Sequence, residues 1–257
     1  MAERTEMFTA IEHRAHTETN SPRLPKTRSL ILAGAILVAA AATAAPEESG
    51  SFHAWLELAE RRTLLIPQDA DAVALVDDPS EIGFEIDADP GDDAFMAVSS
   101  DVHGVYRVSF ASLAETIADL DSHEDFVPHV DSSEARQVDE DRLEWLQHVE
   151  LSFGFLFFNV DYAFENRHVV MQLDDDRFAL VFRMNETYDD LVADIYGSWY
   201  LERLVVDGDE YVYVRYFNHV VFGRRVTGLR FAVRSFGLRD AKNAMRAYVN
   251  EARARPR

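Results

Sequence analysis

Histidine is the residue type in this chain best suited to metal binding or proton transfer, and the sequence contains nine of them. Beyond residue 45, no pair has the H-x-x-x-H or H-E-x-x-H spacing that places two imidazoles on one helical face as zinc ligands. His123 and His129 flank a Phe-Val-Pro sequence and are predicted to lie in surface loops. His168 and Asn166 alternate with apolar residues, which favours an inward position as structural groups, polar contacts or acid/base groups.

The other candidate groups are less specific. The run from Asp174 to Asp176 is acidic enough to attract a divalent cation, but in so acidic a chain it indicates a turn. Arg215 lies among apolar and aromatic residues of a predicted strand, and the pattern does not decide whether it points inward to a ligand or outward. Cysteine is absent, and no G-x-S-x-G, P-loop or dinucleotide fingerprint is present. The sequence therefore assigns no catalytic residue, metal ligand or cofactor.

The chain is strongly acidic, with 46 Asp and Glu against 25 Lys and Arg and a net charge of −21. Such a surface repels phosphate, so nucleic acid and anionic membrane surfaces are excluded as partners. An Asp-rich surface with few lysines stays hydrated in salt, which favours a halophilic source over an ordinary acidic protein. The hydrophobic content of 47% is enough for a real core.

Residues 30–45 form an uncharged, Ala-rich run of 16 residues that follows a basic flank from Arg23 to Arg28. A basic flank, a short apolar stretch and small residues near Ala42 to Ala44 are typical of a signal peptide. A spanning helix needs roughly 20 apolar residues, so we predict cleavage, with membrane anchoring as the alternative. Residues 1–45 are thus interpreted as an export segment. The protein is then periplasmic or extracellular, and this segment is its only membrane contact.

Two further segments follow. Residues 46–103 contain an amphipathic helical pattern at 52–61 and short β-like runs between acidic turns, and we interpret them as a lead-in extension. Residues 104–257 are better patterned and are interpreted as the main domain. They begin with a strand at 105–110 and a helix for which Ser112 is the predicted N-cap.

Beyond residue 142 the apolar residues recur with period two, which is typical of strands with one buried face. A DGDE sequence at 207–210 predicts a hairpin between the last two strands. An apolar stripe at helical spacing over 227–254 predicts a long C-terminal helix that covers the sheet. The inward-facing residues of the first three strands are predicted to be Trp145, Val149, Leu151, Phe153, Phe155 and Phe157, then Tyr162, Phe164, Asn166, His168 and Val170, then Phe178, Leu180, Phe182 and Met184.

Two pieces of this part resemble a known family. ADLDSHEDFVPHV at 118–130 is similar to the family's junction between a helix and a Phe-Pro pair, which Phe126 and Pro128 match. GSWYLE at 197–202 is similar to its glycine-tryptophan strand. The family is the START-like superfamily, with the bacterial polyketide cyclase/dehydrase and coenzyme Q-binding branch the most similar. The resemblance implies an α+β helix-grip fold, in which a curved antiparallel sheet of about six to seven strands wraps around a long C-terminal helix.

The resemblance also implies a cavity between sheet and helix that holds an apolar or amphipathic molecule. The many aromatic residues predicted on the inward face agree with such a pocket, although they would also suit an ordinary filled core. The predicted ligand-binding residues are Phe153, Phe155, Tyr162, Phe164, His168, Phe182, Trp199, Arg215 and Phe236.

The leading functional hypothesis is an exported protein that binds a hydrophobic small molecule or lipid in this cavity and is not an enzyme. One alternative is an enzyme of the cyclase or dehydrase type, which needs at least two ionisable groups that converge in the cavity. The other alternative is an envelope protein without a cavity, which acts through protein contacts.

Overall fold

The structure is a computed structural model that describes residues 76–88, 95–139, 143–155 and 158–255. The predicted export segment, the helical pattern at 52–61 and Phe157 lie outside the described residues.

The described chain forms one sheet of eight strands together with three α-helices and a short 3-10 helix. All neighbouring strands are antiparallel, in the order β1-β2-β8-β7-β6-β5-β4-β3. The strands are β1 (Ser80–Asp87), β2 (Met96–Tyr106), β3 (Val130–Asp139), β4 (Glu144–Phe155), β5 (Phe158–Gln172), β6 (Arg177–Thr187), β7 (Val192–Val206) and β8 (Asp209–Phe222). The helices are α1 (Phe110–Ala118), α2 (His123–Phe126) and α3 (Leu229–Ala254), and the 3-10 helix is Leu120–Ser122.

The curved sheet and helix α3 share one hydrophobic core. Strands β3 to β8 follow one another as antiparallel neighbours, and β8 then pairs with β2, from Met96 opposite Phe222 to Tyr106 opposite Val212. Helix α3 adds Met245, among other residues, to the core built by the concave face of the sheet. This arrangement confirms the predicted α+β helix-grip fold, the fold that START-like proteins share.

The strand alternation predicted for β4, β5 and β6 is confirmed. Val149 of β4 lies opposite Phe164 of β5, and His168 of β5 lies opposite Phe182 of β6. These residues point to the same face, because side chains at every second position share one side of a sheet. That face is the concave one, against α3.

The hairpin between β7 and β8 is also confirmed. Asp207 and Gly208 form its two-residue turn, with φ angles of 54° and 87°. Positive φ at both positions is what the tight turn between twisted antiparallel strands requires, and Asp-Gly is a favoured pair for it.

Helix α1 begins earlier than predicted. Its N-cap is Ser109, whose side chain accepts a hydrogen bond from the amide of Ser112. Ser112, the predicted N-cap, instead donates its Oγ hydrogen to the carbonyl oxygen of Ala252 at 2.7 Å. This bond fixes α1 to the C-terminal part of α3.

The predicted boundary between the lead-in and the main domain falls inside a strand. β2 continues across residue 103, and β1 pairs with β2 from Ser80 opposite His103 to Asp87 opposite Ala97. The sheet consequently has eight strands rather than six or seven. The acidic turns between the short β-like runs suggested an appendage. In the described residues, however, the run at 82–86 lies in β1 and the run at 94–98 continues into β2, which extend the sheet beyond β8. Their sequence gives no sign of this pairing.

Within the described ranges, no helix has both the length and the apolar character needed to cross a bilayer.

Candidate functional site: the cavity between sheet and helix

A cavity of about 720 Å³ lies between the concave face of the sheet and helix α3. This volume falls within the range of small-molecule sites, roughly 300–1,000 Å³. Helix α3 contributes small residues to its wall, namely Ala232, Gly237, Ala241 and Ala244. These small side chains leave unfilled the volume that leucine side chains would occupy, and this volume is part of the cavity between sheet and helix.

Most of the predicted ligand-binding residues line this cavity. Aromatic rings of the lining form stacked contacts, with centroids 5.8 Å apart between Phe153 and Tyr162 and 4.2 Å apart between Trp199 and Tyr216, which was not predicted. The side chain of Phe155, the last residue of β4, lies outside the described residues. The predicted residues found in the lining are Phe153, Tyr162, Phe164, His168, Phe182, Trp199 and Phe236.

Arg215 faces away from the cavity, so its prediction as a ligand-binding residue is wrong. Its Nε and Nη2 donate to the two carboxylate oxygens of Asp101, at 3.0 and 2.8 Å. Its neighbour Tyr216 lines the cavity, and alternation therefore places Arg215 on the convex face. The sequence could not decide this, because Tyr213, on the same convex side, is also fully buried and β8 is apolar on both faces.

His123 lies in the cavity wall, so its prediction as a surface loop residue is wrong. It begins α2, is only 7% exposed, and packs edge-on against the ring of Tyr248 at 5.1 Å. Burial lowers its pKa to about 4. The signal for this position was its spacing, because Leu120 and Phe126 lie three residues before and after it and share its face.

His129 differs from His123 in its exposure. It is exposed at the rim of the cavity, where its ring stacks on Phe153 at a centroid distance of 4.5 Å. It therefore resembles the predicted surface histidine, except that it also belongs to the lining.

Gln147 of β4 is the centre of a hydrogen-bonded cluster at one end of the cavity. Its Nε2 lies 3.0 Å from Nδ1 of His123, 3.0 Å from the carbonyl oxygen of Leu120 and 2.8 Å from Oγ of Ser133. An amide nitrogen carries two hydrogens, so two of these acceptors are served at a time. The hydroxyl of Tyr248 lies 3.2 Å from the same Nδ1. This polar wall was not predicted, because its members come from four separate parts of the sequence.

His168 and Asn166 are a second polar pair in the lining, and three of their four side-chain polar atoms are unpaired. Neither ring nitrogen of His168 nor Oδ1 of Asn166 has a hydrogen-bond partner within the described structure. Their exposures are only 4% and 6%. Burial lowers the pKa of His168 to about 3, with the nearby His123 as a smaller cause, so the imidazole is neutral at neutral pH.

The remaining polar groups deep in the cavity are also uncharged. Burial raises the pKa of Tyr162, Tyr216 and Tyr248 above the ordinary value of 10, so their hydroxyls keep their protons. Arg239 is the cationic residue of the described lining, and its side chain is 62% exposed at the rim. Among the described residues, no cluster of three His, Asp or Glu side chains could hold a metal ion.

The fold and this cavity define an α+β helix-grip protein with an apolar internal cavity. No protein family and no curated protein matches the sequence.

Many solved structures are similar to the chain, among them those of three bacterial proteins. The Zhui aromatase/cyclase of Streptomyces sp. R1128 is 16% identical, over 63% of this chain and 96% of that one, with a TM-score of 0.46. A STAR-related lipid transfer protein of Xanthomonas axonopodis is 15% identical, over 66% and 99%, with a TM-score of 0.48. A protein of Thermus thermophilus is 11% identical, over 61% and 97%, with a TM-score of 0.47. The fold assignment itself rests on the strand order and on the position of α3.

Proposed function

We propose that this protein binds a hydrophobic or lipid-like small molecule between its sheet and helix α3. The observation that carries the proposal is the aromatic-lined cavity of about 720 Å³. Moving an apolar molecule from water into such a cavity is favourable by about 25 cal/mol for each Å² of apolar surface buried. The acidic exterior does not oppose this binding, since the ligand is held by apolar contact rather than by charge.

Titration with the neutral fluorescent probe N-phenyl-1-naphthylamine tests the proposal. We expect saturable binding to one site and an increase in emission as the probe leaves water. The matched control is Val205→Ser, because Val205 is 69% exposed and lies outside the cavity lining. Its binding curve should be unchanged. Lack of saturable binding, or a loss of binding in Val205→Ser, would contradict a cavity site.

An enzyme of the cyclase or dehydrase type is the second candidate, and His123 and His168 are the observation in its favour, since both line one cavity. Their pKa values of about 4 and about 3 make both weak bases, whereas efficient acid/base groups have pKa values near the working pH. Binding without chemistry is therefore the better-supported function. The enzyme would be established by turnover that is lost in His168→Leu while probe binding persists. The cavity counts against the third hypothesis, an envelope protein that has no cavity and acts through protein contacts.

Export is part of the same proposal and is supported by the basic flank and apolar run of residues 23–45. The mass of the protein isolated from its native cells tests it. A mature N-terminus close to Ala44 is expected, and an intact N-terminus in a protein found inside the cell would contradict export.

A further inference from the structure

The strongest unexplained feature of the cavity is a contrast between Gln147 and its neighbours Asn166 and His168. Gln147 lies directly opposite Asn166 in the register of β4 and β5. The amide of Gln147 is surrounded by hydrogen-bond partners, whereas Oδ1 of Asn166 and both ring nitrogens of His168, two residues further along β5, have none. Buried polar atoms are normally hydrogen-bonded, and each exception calls for a cause such as an absent ligand.

The unpaired atoms define what a partner must provide. Oδ1 of Asn166 is an acceptor, and a neutral imidazole offers one donor and one acceptor. A hydroxyl group both donates and accepts, so it can pair with His168 and Asn166. A hydrocarbon would leave all three atoms unpaired.

The charged residues of the lining limit further which polar group the ligand can carry. Arg239, the cation of the described lining, is exposed at the rim, and Arg215 is paired with Asp101 on the opposite face of the sheet. A carboxylate or phosphate placed beside His168 would lose its hydration without a cation to replace it. A cationic group would likewise meet no carboxylate there, because Asp240, the one acid in the described lining, comes from α3 at the rim beside Arg239.

The surroundings of the pair are apolar and aromatic. The ring of Phe182 lies 5.7 Å from the imidazole of His168, and Leu180 and Trp199 continue the lining. The body of the ligand is thus in contact with hydrocarbon while its polar end meets β5.

We propose that His168 and Asn166 bind a hydroxyl group of an otherwise apolar, uncharged ligand. This inference rests on the proposed function and names the chemical class of its ligand. The two residues set the orientation of the ligand in the cavity, and they select neutral hydroxylated molecules over hydrocarbons and fatty-acid-like anions.

Isothermal titration calorimetry with 2-naphthol, naphthalene and 2-naphthoate tests this selection on the full chain. These probes share one ring system and differ only in the polar group. We expect His168→Leu to weaken 2-naphthol binding about five-fold, the value of one hydrogen bond, and to change naphthalene binding less than two-fold. Asn166→Leu, of similar size, should act in the same way. In the unmodified protein 2-naphthoate should bind most weakly of the three.

The control is His103→Leu. His103 is a half-buried histidine on the convex face, 3.2 Å from the hydroxyl of Tyr213, and the same substitution there should leave binding of all three probes unchanged. His168→Leu should also keep or raise the melting temperature, because it removes unpaired polar atoms rather than a hydrogen bond.

The outcomes separate the two proposals. Equal effects of His168→Leu on 2-naphthol and naphthalene, as expected if the pair binds only water, would overturn the hydroxyl site, as would preferential binding of 2-naphthoate. In both cases apolar binding in the cavity would still stand. Failure of naphthalene itself to bind would instead overturn the proposed function.

Discussion

Gln147 shows what a satisfied polar group contributes in this cavity wall. Replacing it with leucine removes the donor shared by His123, Leu120 and Ser133 and leaves buried acceptors with fewer partners. We expect Gln147→Leu to lower the free energy of unfolding by about 1–3 kcal/mol, measured by urea denaturation. Gln172→Leu, at an exposed glutamine at the end of β5, should change it by less than about 0.5 kcal/mol. Equal effects of the two substitutions would show that the cluster is not a stabilising network.

Gly197 of β7 is required by close packing rather than by backbone conformation. A Cβ atom there would overlap both the carbonyl oxygen of Phe217 and the ring of Phe182, which lies over the glycine. Because one of these groups is backbone, relief requires the strands to shift.

We therefore expect Gly197→Ala to lower the free energy of unfolding by about 1–3 kcal/mol. Gly83→Ala in β1 is the matched control, since a Cβ atom there meets nothing within 4 Å, and its stability should be unchanged or slightly higher. Thermal unfolding of both variants measures the difference. A stable Gly197→Ala would contradict the close approach of Phe182.

At the scale of the elements, helix α3 determines how much space the cavity has. Ala244 faces the cavity, whereas Ala252, on the same helix, is 3% exposed and packs in the core near α1. The same substitution should thus have opposite effects at the two positions.

Ala244→Leu is expected to fill part of the cavity, to reduce the affinity for N-phenyl-1-naphthylamine and to leave the melting temperature unchanged or higher. Ala252→Leu overpacks a filled region and should lower the free energy of unfolding by about 1–3 kcal/mol while probe affinity is kept. Probe titration and thermal unfolding of both variants measure these effects. If Ala252→Leu reduced probe binding as strongly as Ala244→Leu, the site would not lie where the structure has its cavity.

The elements differ in how well the sequence predicts them. β4 to β6 alternate cleanly because one face is buried and the other wet, and α3, predicted at 227–254, is found at Leu229–Ala254. The direction of Arg215 and the position of β1 beside β2 depend on what covers or pairs with a strand, and those partners are distant in sequence.

The prediction of site residues was limited in the same way, by contacts with residues that are distant in sequence. Aromatic residues on alternating positions of β4 to β6 were predicted from their period, so Phe153 could be named, whereas Trp199 stands in the GSWYLE sequence that carries the family resemblance. His123 was missed because its position beside the Phe-Val-Pro sequence suggested a surface loop. The residues that cover it, Gln147 and Tyr248, lie 24 and 125 residues away in sequence. Local pattern reveals which face a side chain shares, but not which distant element covers that face.

For the whole molecule, the buried histidines make stability depend on pH. The imidazole of His168 has a pKa of about 3 when folded and 6.5 when unfolded, so at pH 5 mainly the unfolded state binds the proton. Stability is therefore lost as the pH falls below 6.5, by about 2 kcal/mol for this residue at pH 5. His123, with a pKa of about 4, adds a loss in the same direction.

The pH dependence can be assigned by comparing variants. Urea denaturation at pH 7 and pH 5 should show a smaller loss of stability in His168→Leu than in the unmodified chain, by about 2 kcal/mol. The same acidic side chains repel one another in both proteins, so their effect cancels in the comparison. Identical losses in both proteins would mean that His168 is hydrated or charged in the folded state.

The pairing of β2 with β8 also governs when the fold can be completed. Asp101 and Arg215, which join these strands, are 114 residues apart in sequence, and pairing at such separation is slow because a long loop must close first. Helix α3, which covers the aromatic face, is made later still. A growing chain thus carries an uncovered aromatic sheet until α3 has been made, a period when it is prone to aggregate.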